Sequence, residues 1–560
     1  MSSFTKFKLP RPQFHSTTLT AWAALWCLIA LNLPFWARVL EIRPAASMGD
    51  VMYLVSFGLL AFLVINVFLL PLTLLRPLTR PLLAVALLLA GLASYFVYAY
   101  GVRIDKVMIR NVFETDGVEA GELFNLNLVV YVGLLGVLPA LLVMRVGLIV
   151  SSWRRELAHR GAALGLTVLG IGAIAAFFYQ DHASTLRNNR ELRHLLVPVN
   201  YLAGLGSYVG EITKPELPYE AIGSDAKPGA VWQQPDAVRP LIVVLVVGET
   251  ARAANFGLNG YARQTTPELA QIPQLVNFTN VSSCGTSTAI SVPCMFSDLG
   301  REGFSAEKAR ARDNLIDIVS KAGFDVDWFG NNTNCKGVCR AVPEIRAVRE
   351  EHPQFCIGDS PCMDGAMFGS FEKTLAAPAG RRFVVLHMLG SHGPGYHLRY
   401  PRDFERFTPV CRETDFSKCP VSDIVNAYDN TVLYTDHLLA STIRSLAALA
   451  DRADTALLYV SDHGESLGEG GIFLHALPYA IAPDLQTRVP MVFWASEGFL
   501  DRMGLDGGCL QAGRGQPLSH DNVFHSVLGL LQVDTAARKS ALDLFASCRN
   551  TRIKAEGVSP

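Results

Sequence analysis

LIVVLVVGET, residues 241–250, opens with seven apolar residues, five of them β-branched, and closes on Gly248-Glu249-Thr250. A run this short, with no polar alternation, suits a strand covered on both faces, and the glycine and carboxylate mark where the chain leaves the sheet. The pattern returns as RFVVLH (382–387) and ALLYV (456–460). Each run ends in polar chemistry: Glu249-Thr250 after the first, His387 to His392 after the second, and SDHGE (461–465) after the third. Helical segments at Asn314–Ala322 and Asp423–Leu446 separate the runs. The expectation is an α/β domain with a mainly parallel central sheet and its ligands at the carboxyl ends of the strands.

Upstream of this domain the composition changes. The chain has 560 residues, and five segments in its first third are long and apolar enough to cross a bilayer: about Leu19–Leu40, Val51–Leu70, Leu82–Gly101, Leu126–Val150 and Ala162–Tyr179. The first reads as an uncleaved anchor, because no small-residue cleavage site follows it. Lys6, Lys8 and Arg11, then Arg76 and Arg80, then Arg154, Arg155 and Arg160 place three connecting segments in the cytoplasm. The segment 103–125, with Glu114, Asp116, Glu119 and Glu122, falls outside, as does everything after Tyr179. The expected organisation is a five-helix transmembrane domain over 1–180 with a cytoplasmic N-terminus, a bridging helix and linker over 181–239, and an exported domain over 240–560. A formal net charge of −1 and the lack of a long basic tract argue against a nucleic-acid partner.

Cysteine usage agrees with export. Of 11 cysteines, Cys27 lies in a span and the other ten all follow residue 283. Four close pairs stand out: Cys284 with Cys294, Cys335 with Cys339, Cys356 with Cys362, and Cys411 with Cys419. Cys509 and Cys548 remain, and five disulfides are expected in an oxidising compartment. A zinc cluster at Cys335 and Cys339 is the alternative there, but it lacks a second closely spaced Cys/His pair.

Glu249, Asp462 and His463 follow separate strand ends, so a parallel sheet could bring them to one point. Two carboxylates and an imidazole suit Zn²⁺ or Mn²⁺. SSCGTSTAISVPCMF (282–296) crowds hydroxyls ahead of a helical run, and Thr286 reads as its cap or first-turn residue. A cap threonine alone would only satisfy a backbone donor; beside a metal its hydroxyl becomes a candidate nucleophile.

These stretches, together with VVGETARAANFGLNGYARQTTPEL, NCKGVC, HMLGSHGPGYHLRYP and SDHGESLGEGGIFLHALPY, resemble the lipid A phosphoethanolamine transferases, membrane-anchored members of the alkaline phosphatase/sulfatase superfamily. The resemblance covers nearly the whole chain. It implies an alkaline-phosphatase-like soluble domain whose Thr286 takes up phosphoethanolamine from phosphatidylethanolamine, releasing diacylglycerol, before passing it to lipid A. It implies a tight zinc site of Glu249, Thr286, Asp462 and His463 and admits a second, weaker one. His392 and His475 match histidines for the phosphate or that second zinc, Asn332 and Lys336 match residues near the substrate phosphate, and Asn111, Thr115 and Glu119 match positions for the donor head group. A monomer in the inner membrane, its catalytic domain facing the periplasm, is expected. Two departures stand out: Gly365 where an acidic residue is expected, and Ala476 where LHG is usual.

Three other readings compete. A membrane-bound sulfatase or phosphodiesterase would share fold and metal, but no C/S-x-P-x-R motif follows Cys284 or Ser287. A phosphoglycerol transferase acting on another envelope glycan would share the threonine chemistry and the anchor. A membrane sensor would bind metal without turnover.

Overall fold

The computed structural model describes residues 12–549 apart from 116, 150, 190, 216, 234–238, 333, 348 and 357–360. The chain divides into two units. One holds the residues up to Ile109 together with Phe124–Ile212, and the other holds Arg110–Leu123 together with the chain from Thr213 on.

In the first unit four helices are long and apolar enough to cross a bilayer: Met48–Thr73, Arg76–Tyr100, Leu126–Arg145 and Trp153–Asn188. A bent pair, Ser16–Leu31 and Leu33–Ile42, meets at 66° and makes up to five spans if it counts as one. The first expected span is therefore broken, and Asn32-Leu33-Pro34 is the cause. Asn32 Nδ2 donates to the Cys27 carbonyl at 2.8 Å and the Val197 carbonyl at 2.7 Å, and its Oδ1 accepts from the Val197 amide at 2.8 Å. Pro34 lies in the first turn of the second helix, where a missing N–H costs nothing. Backbone groups freed by the bend thus find partners inside the protein, as a water-free surrounding requires. The last expected span is the apolar middle of a 36-residue helix whose polar ends extend it well beyond Ala162–Tyr179. Helices Arg76–Tyr100 and Leu126–Arg145 meet at glycines: a Cβ on Gly91 would stand 2.8 Å from Gly136 Cα, so only small residues fit this crossing. Val55, Leu169 and Phe177 point outward, exposed.

The second unit is built on seven strands: β1 (Leu241–Gly248), β2 (Val276–Phe278), β3 (Asp325–Gly330), β4 (Glu344–Ile345), β5 (Arg381–His387), β6 (Asp454–Ser461) and β7 (Met491–Ala495). Their order is β2-β7-β6-β1-β5-β3-β4. The sheet is mixed. The pairs β6–β1, β1–β5, β5–β3 and β3–β4 are parallel, and β7 runs antiparallel to both β6 and β2. Every residue of β1 is buried, which accounts for the unbroken apolar run that opened the sequence. One layer of the core packs Phe296 against Trp328, ring centroids 5.4 Å apart, with Leu315 and Phe493 in the same buried cluster.

Register is what assembles a site. Gly248 pairs with Ser461, so Glu249 and Asp462 leave neighbouring strands at one level. His387 pairs with Val247 on one side and Gly330 on the other, which brings Asn331 and Asn332 to the same edge. Gly248 is required there, because a Cβ would lie 2.6 Å from the Tyr459 ring.

All five expected disulfides are present. Cys284 is joined to Cys294, Cys335 to Cys339, Cys356 to Cys362, Cys411 to Cys419 and Cys509 to Cys548, with Cα–Cα separations from 4.2 to 6.3 Å. The bond between Cys335 and Cys339 leaves neither sulfur as a thiolate for zinc, so the alternative of a metal cluster at that pair falls. Cys27 is free and buried.

Candidate active site

Glu249, Asp462 and His463 meet at the carboxyl ends of β1 and β6, each at most 1% exposed. His463 Nε2 stands 3.3 Å from Glu249 Oε1 and 3.4 Å from Asp462 Oδ2, and a ligand atom from each of the three lies within 4.8 Å of the others. The backbone fixes the cluster. The Thr250 and His463 amides donate to Asp462 Oδ1 at 3.0 and 2.7 Å, and His463 Nδ1 contacts the Gly464 carbonyl at 2.9 Å. Thr250 adopts φ 61°, a conformation that costs a β-branched residue about 1–3 kcal/mol and is held by these bonds.

Burying two carboxylates together is unfavourable unless positive charge joins them. Burial and the Glu249 charge push Asp462 up to about 7. Burial opposes ionisation of Glu249, yet the hydrogen bond and charge of His463 hold it well below the usual carboxylate range. Burial would lower His463, but Asp462 and Glu249 outweigh it and raise the imidazole to about 10. Asp462 Oδ2 is buried with no hydrogen-bond donor among the described residues. A divalent cation fits these donors: it would complete Asp462 Oδ2 and take the place of the shared proton. The second metal-like grouping, Cys284, Cys294 and Asp521, is not a candidate, since its sulfurs are joined in a disulfide.

The hydroxyl at this cluster belongs to Thr288, not Thr286. Thr288 Oγ donates to Glu249 Oε2 at 3.0 Å and lies 3.4 Å from His463 Nε2. Thr286 Oγ instead donates to the Leu477 carbonyl at 2.5 Å. The helix starts later than expected: it spans Thr288–Met295 with Ser287 as N-cap, leaving Thr286 outside it. Thr288 thus occupies the first helical position, where unpaired amides and the positive end of the dipole favour negative charge. The available signal was that Thr288 is the last hydroxyl before the apolar pair Ala289-Ile290. Ser287 Oγ is buried with no hydrogen-bond partner among the described residues.

Most of the other expected residues gather around Thr288. One pocket is lined by Asn111, Glu114, Thr115, Ser287, Thr288, Ala289, Asn332, Lys336, His392 and His475, all within the second unit. Asn332 Nδ2 donates to Glu249 Oε2 at 2.7 Å and to the Met388 carbonyl at 3.1 Å. The rings of His392 and His475 are 5.6 Å apart, and His475 lies 4.4 Å from the His463 ring. Glu119 belongs to the helix Gly117–Glu122, but its side chain lies outside the described residues. Sequence reasoning missed Glu114, Ser287 and the buried Glu465, which holds His475 Nδ1 at 3.0 Å and accepts from Tyr396 at 3.1 Å. It also missed Arg399, which donates to the His392 carbonyl at 2.9 Å and pairs with Glu122.

Both departures have physical readings. A Cβ on Gly365 would meet Tyr434 Oη at 2.4 Å and the Phe355 ring at 2.6 Å, so no acidic side chain fits. Ala476 sits at φ 68°, where glycine would be free of strain, and its amide donates to the Thr286 carbonyl at 2.7 Å.

His520 ties the hydroxyl turn to the sheet. Its Nδ1 accepts from the Cys284 amide at 3.1 Å and its Nε2 donates to the Ser461 carbonyl at 2.9 Å, a pattern only the neutral ring satisfies. Burial lowers it from 6.5 to about 4. A depressed histidine stabilises the fold above 6.5, and that contribution is lost as pH falls towards 4. The full loss is about 3 kcal/mol by linkage. His520→Gln should flatten the fall in melting temperature between pH 6.5 and 4; an unchanged slope would show that other groups set acid stability.

Comparisons with known proteins identify the family. A family model described as Sulfatase matches residues 242–533, and one described as Phosphoethanolamine transferase EptA/EptB matches residues 60–212. The phosphoethanolamine transferase EptA of Escherichia coli K12 is 40% identical over 546 residues, covering 97% of this chain and 98% of that protein. The phosphatidylethanolamine transferase Mcr-1 of Escherichia coli is 35% identical over 92% of this chain and 94% of its own length. The solved structure of the integral membrane lipooligosaccharide phosphoethanolamine transferase A of Neisseria meningitidis superposes with a TM-score of 0.91 at 38% identity, covering 96% of this chain and 100% of that one. The protein is an integral membrane protein with an alkaline-phosphatase-like soluble domain. By identity, coverage and fold alike, the chain belongs to the phosphoethanolamine transferase EptA/EptB family.

Proposed function

We propose that the chain moves phosphoethanolamine from phosphatidylethanolamine to lipid A by double displacement through a phosphothreonine on Thr288. The observation that carries this reading is the hydrogen bond from Thr288 Oγ to Glu249 Oε2 inside a fully buried cluster of Glu249, Asp462 and His463. Glu249, Asp462 and His463 would hold one tight Zn²⁺. Bound there, Zn²⁺ would favour the ionised hydroxyl of Thr288 and offset charge on the phosphoryl oxygens.

In the first step the Thr288 oxygen, its proton already lost to solvent, forms a bond to phosphorus, and the phosphorus–oxygen bond to diacylglycerol breaks. His475, oriented by Glu465 at Nδ1, gives a proton from Nε2 to the leaving oxygen. In the second step His475 takes a proton from the acceptor, whose oxygen attacks the same phosphorus. Thr288 leaves as the same ionised oxygen that attacked in the first step. Lys336 offsets charge on the equatorial oxygens, and Asn332 keeps Glu249 Oε2 in place beside Thr288. Asn111 and Thr115, on the pocket wall that Arg110–Leu123 contributes, orient the donor head group.

A donor insoluble in water explains why such a site belongs to a membrane chain. In this reading the protein is a monomer of the inner membrane whose catalytic unit faces the periplasm. The full chain in vesicles containing labelled phosphatidylethanolamine and lipid A should release diacylglycerol and add label to lipid A in equal amounts. Free labelled phosphoethanolamine without modified lipid A would instead mark a phosphodiesterase, and label taken from phosphatidylglycerol a phosphoglycerol transferase.

A further inference from the structure

We propose that Glu114 selects the donor's head group, its carboxylate receiving the ethanolamine ammonium while Lys336 takes the phosphate. This deepens the reading above and rests on it. Glu114 ends the helix Lys106–Glu114 and enters the pocket that holds Thr288, Asn332, Lys336 and His475. Its Oε2 is buried yet makes no hydrogen bond among the described residues. Lys336 Nζ stands 3.7 Å from it, and the Lys336 side chain is 9% exposed. That separation is too long for a charge-assisted hydrogen bond, which closes to about 2.7–2.9 Å. Elsewhere in the same unit Lys321 closes on the buried Asp313 to 2.6 Å. The pocket therefore holds a facing cation and anion that attract each other but do not bond.

Phosphoethanolamine is the charge mirror image of that pair: an anion and an ammonium joined by two carbons. When it enters, phosphate replaces Glu114 as the partner of Lys336, and the ammonium replaces Lys336 as the partner of Glu114. Both protein charges exchange one partner for another, and the buried Lys336 is not left alone, which would be costly, while the Glu114 side chain is 35% exposed. A glycerol head group supplies no cation. It would set neutral hydroxyls and a phosphate against the Glu114 carboxylate, a repulsive element that rejects the wrong donor.

The test uses the full-length protein in detergent or vesicles, as wild type, Glu114→Gln and Glu114→Asp. The donor KM for phosphatidylethanolamine is measured with the inhibition constants of two soluble head groups, glycerophosphoethanolamine and glycerophosphoglycerol. Glu114→Gln should raise the KM and the glycerophosphoethanolamine constant about tenfold or more and leave the glycerophosphoglycerol constant within about twofold or tighter. Glu114→Asp, which keeps the charge, should recover part of the loss. Equal shifts for both head groups, no shift for either, or a fall in kcat at unchanged KM would overturn the assignment. If the wild type takes nothing from phosphatidylethanolamine, the reading of the reaction falls first; if it is active and Glu114→Gln keeps the head-group discrimination, this proposal alone falls.

Discussion

Thr288→Ala is expected to lose transfer by at least about a thousandfold while the protein still folds, because a nucleophile cannot be replaced by its neighbours. The structural cost is small: one hydrogen bond to a carboxylate, about 1.5–3 kcal/mol. Thr286→Ala removes the bond to the Leu477 carbonyl, costs about 1 kcal/mol of stability and keeps most of the turnover. Thr288→Ser should keep partial activity, since its hydroxyl can still reach Glu249 Oε2. Steady-state turnover of labelled phosphatidylethanolamine and melting temperatures on the same preparations separate these effects. An inactive Thr286→Ala with a nearly active Thr288→Ala would reverse the assignment.

Asp462→Asn is the second large effect. The substitution keeps the shape and the acceptor that receives the Thr250 and His463 amides, but it removes the negative charge beside Glu249 and His463. Metal affinity should fall by about 100-fold or more, since a neutral amide is a poor ligand for a divalent ion. Binding to the folded state alone stabilises by about 2.7 kcal/mol when the metal is at 100 times its dissociation constant. The wild type should therefore melt higher with added zinc and lower after chelation, and Asp462→Asn should respond to neither. Equal zinc content in wild type and variant, with the same thermal response, would remove Asp462 from the proposed ligand set.

The strands were legible because β1, β5 and β6 are short, β-branched runs that end abruptly in charge, and their shared level followed once the sheet was read as parallel there. Glu249, Asp462 and His463 were therefore within reach of the sequence. So were the disulfides: Cys335 with Cys339, Cys356 with Cys362 and Cys411 with Cys419 are each so close in the chain that a short loop closes them. The hydroxyl that meets the carboxylates was not legible. Ser282, Ser283, Thr286, Ser287 and Thr288 put five hydroxyls into seven residues, and only the start of the helix decides which one faces the carboxylates. Glu114 escaped for a different reason: it reads as one more charge in an acidic loop between spans, and only the tertiary fold brings Arg110–Leu123 into the unit that carries Lys336. The bend at Asn32 was hidden by apolar composition on either side, since hydropathy does not register a side chain that caps backbone groups 165 residues away. Gly365 and Ala476 looked like departures in sequence, whereas at Gly365 the surrounding rings leave no room for a side chain.

Trapping the intermediate tests the central claim most directly. The full-length protein, incubated with phosphatidylethanolamine and no acceptor, is digested, and the peptide carrying Ser282–Phe296 is fragmented in the mass spectrometer. Phosphoethanolamine on Thr288 is the predicted result, lost on addition of lipid A; an adduct on Thr286 or Ser287, or no adduct in an enzyme that turns over, would contradict it.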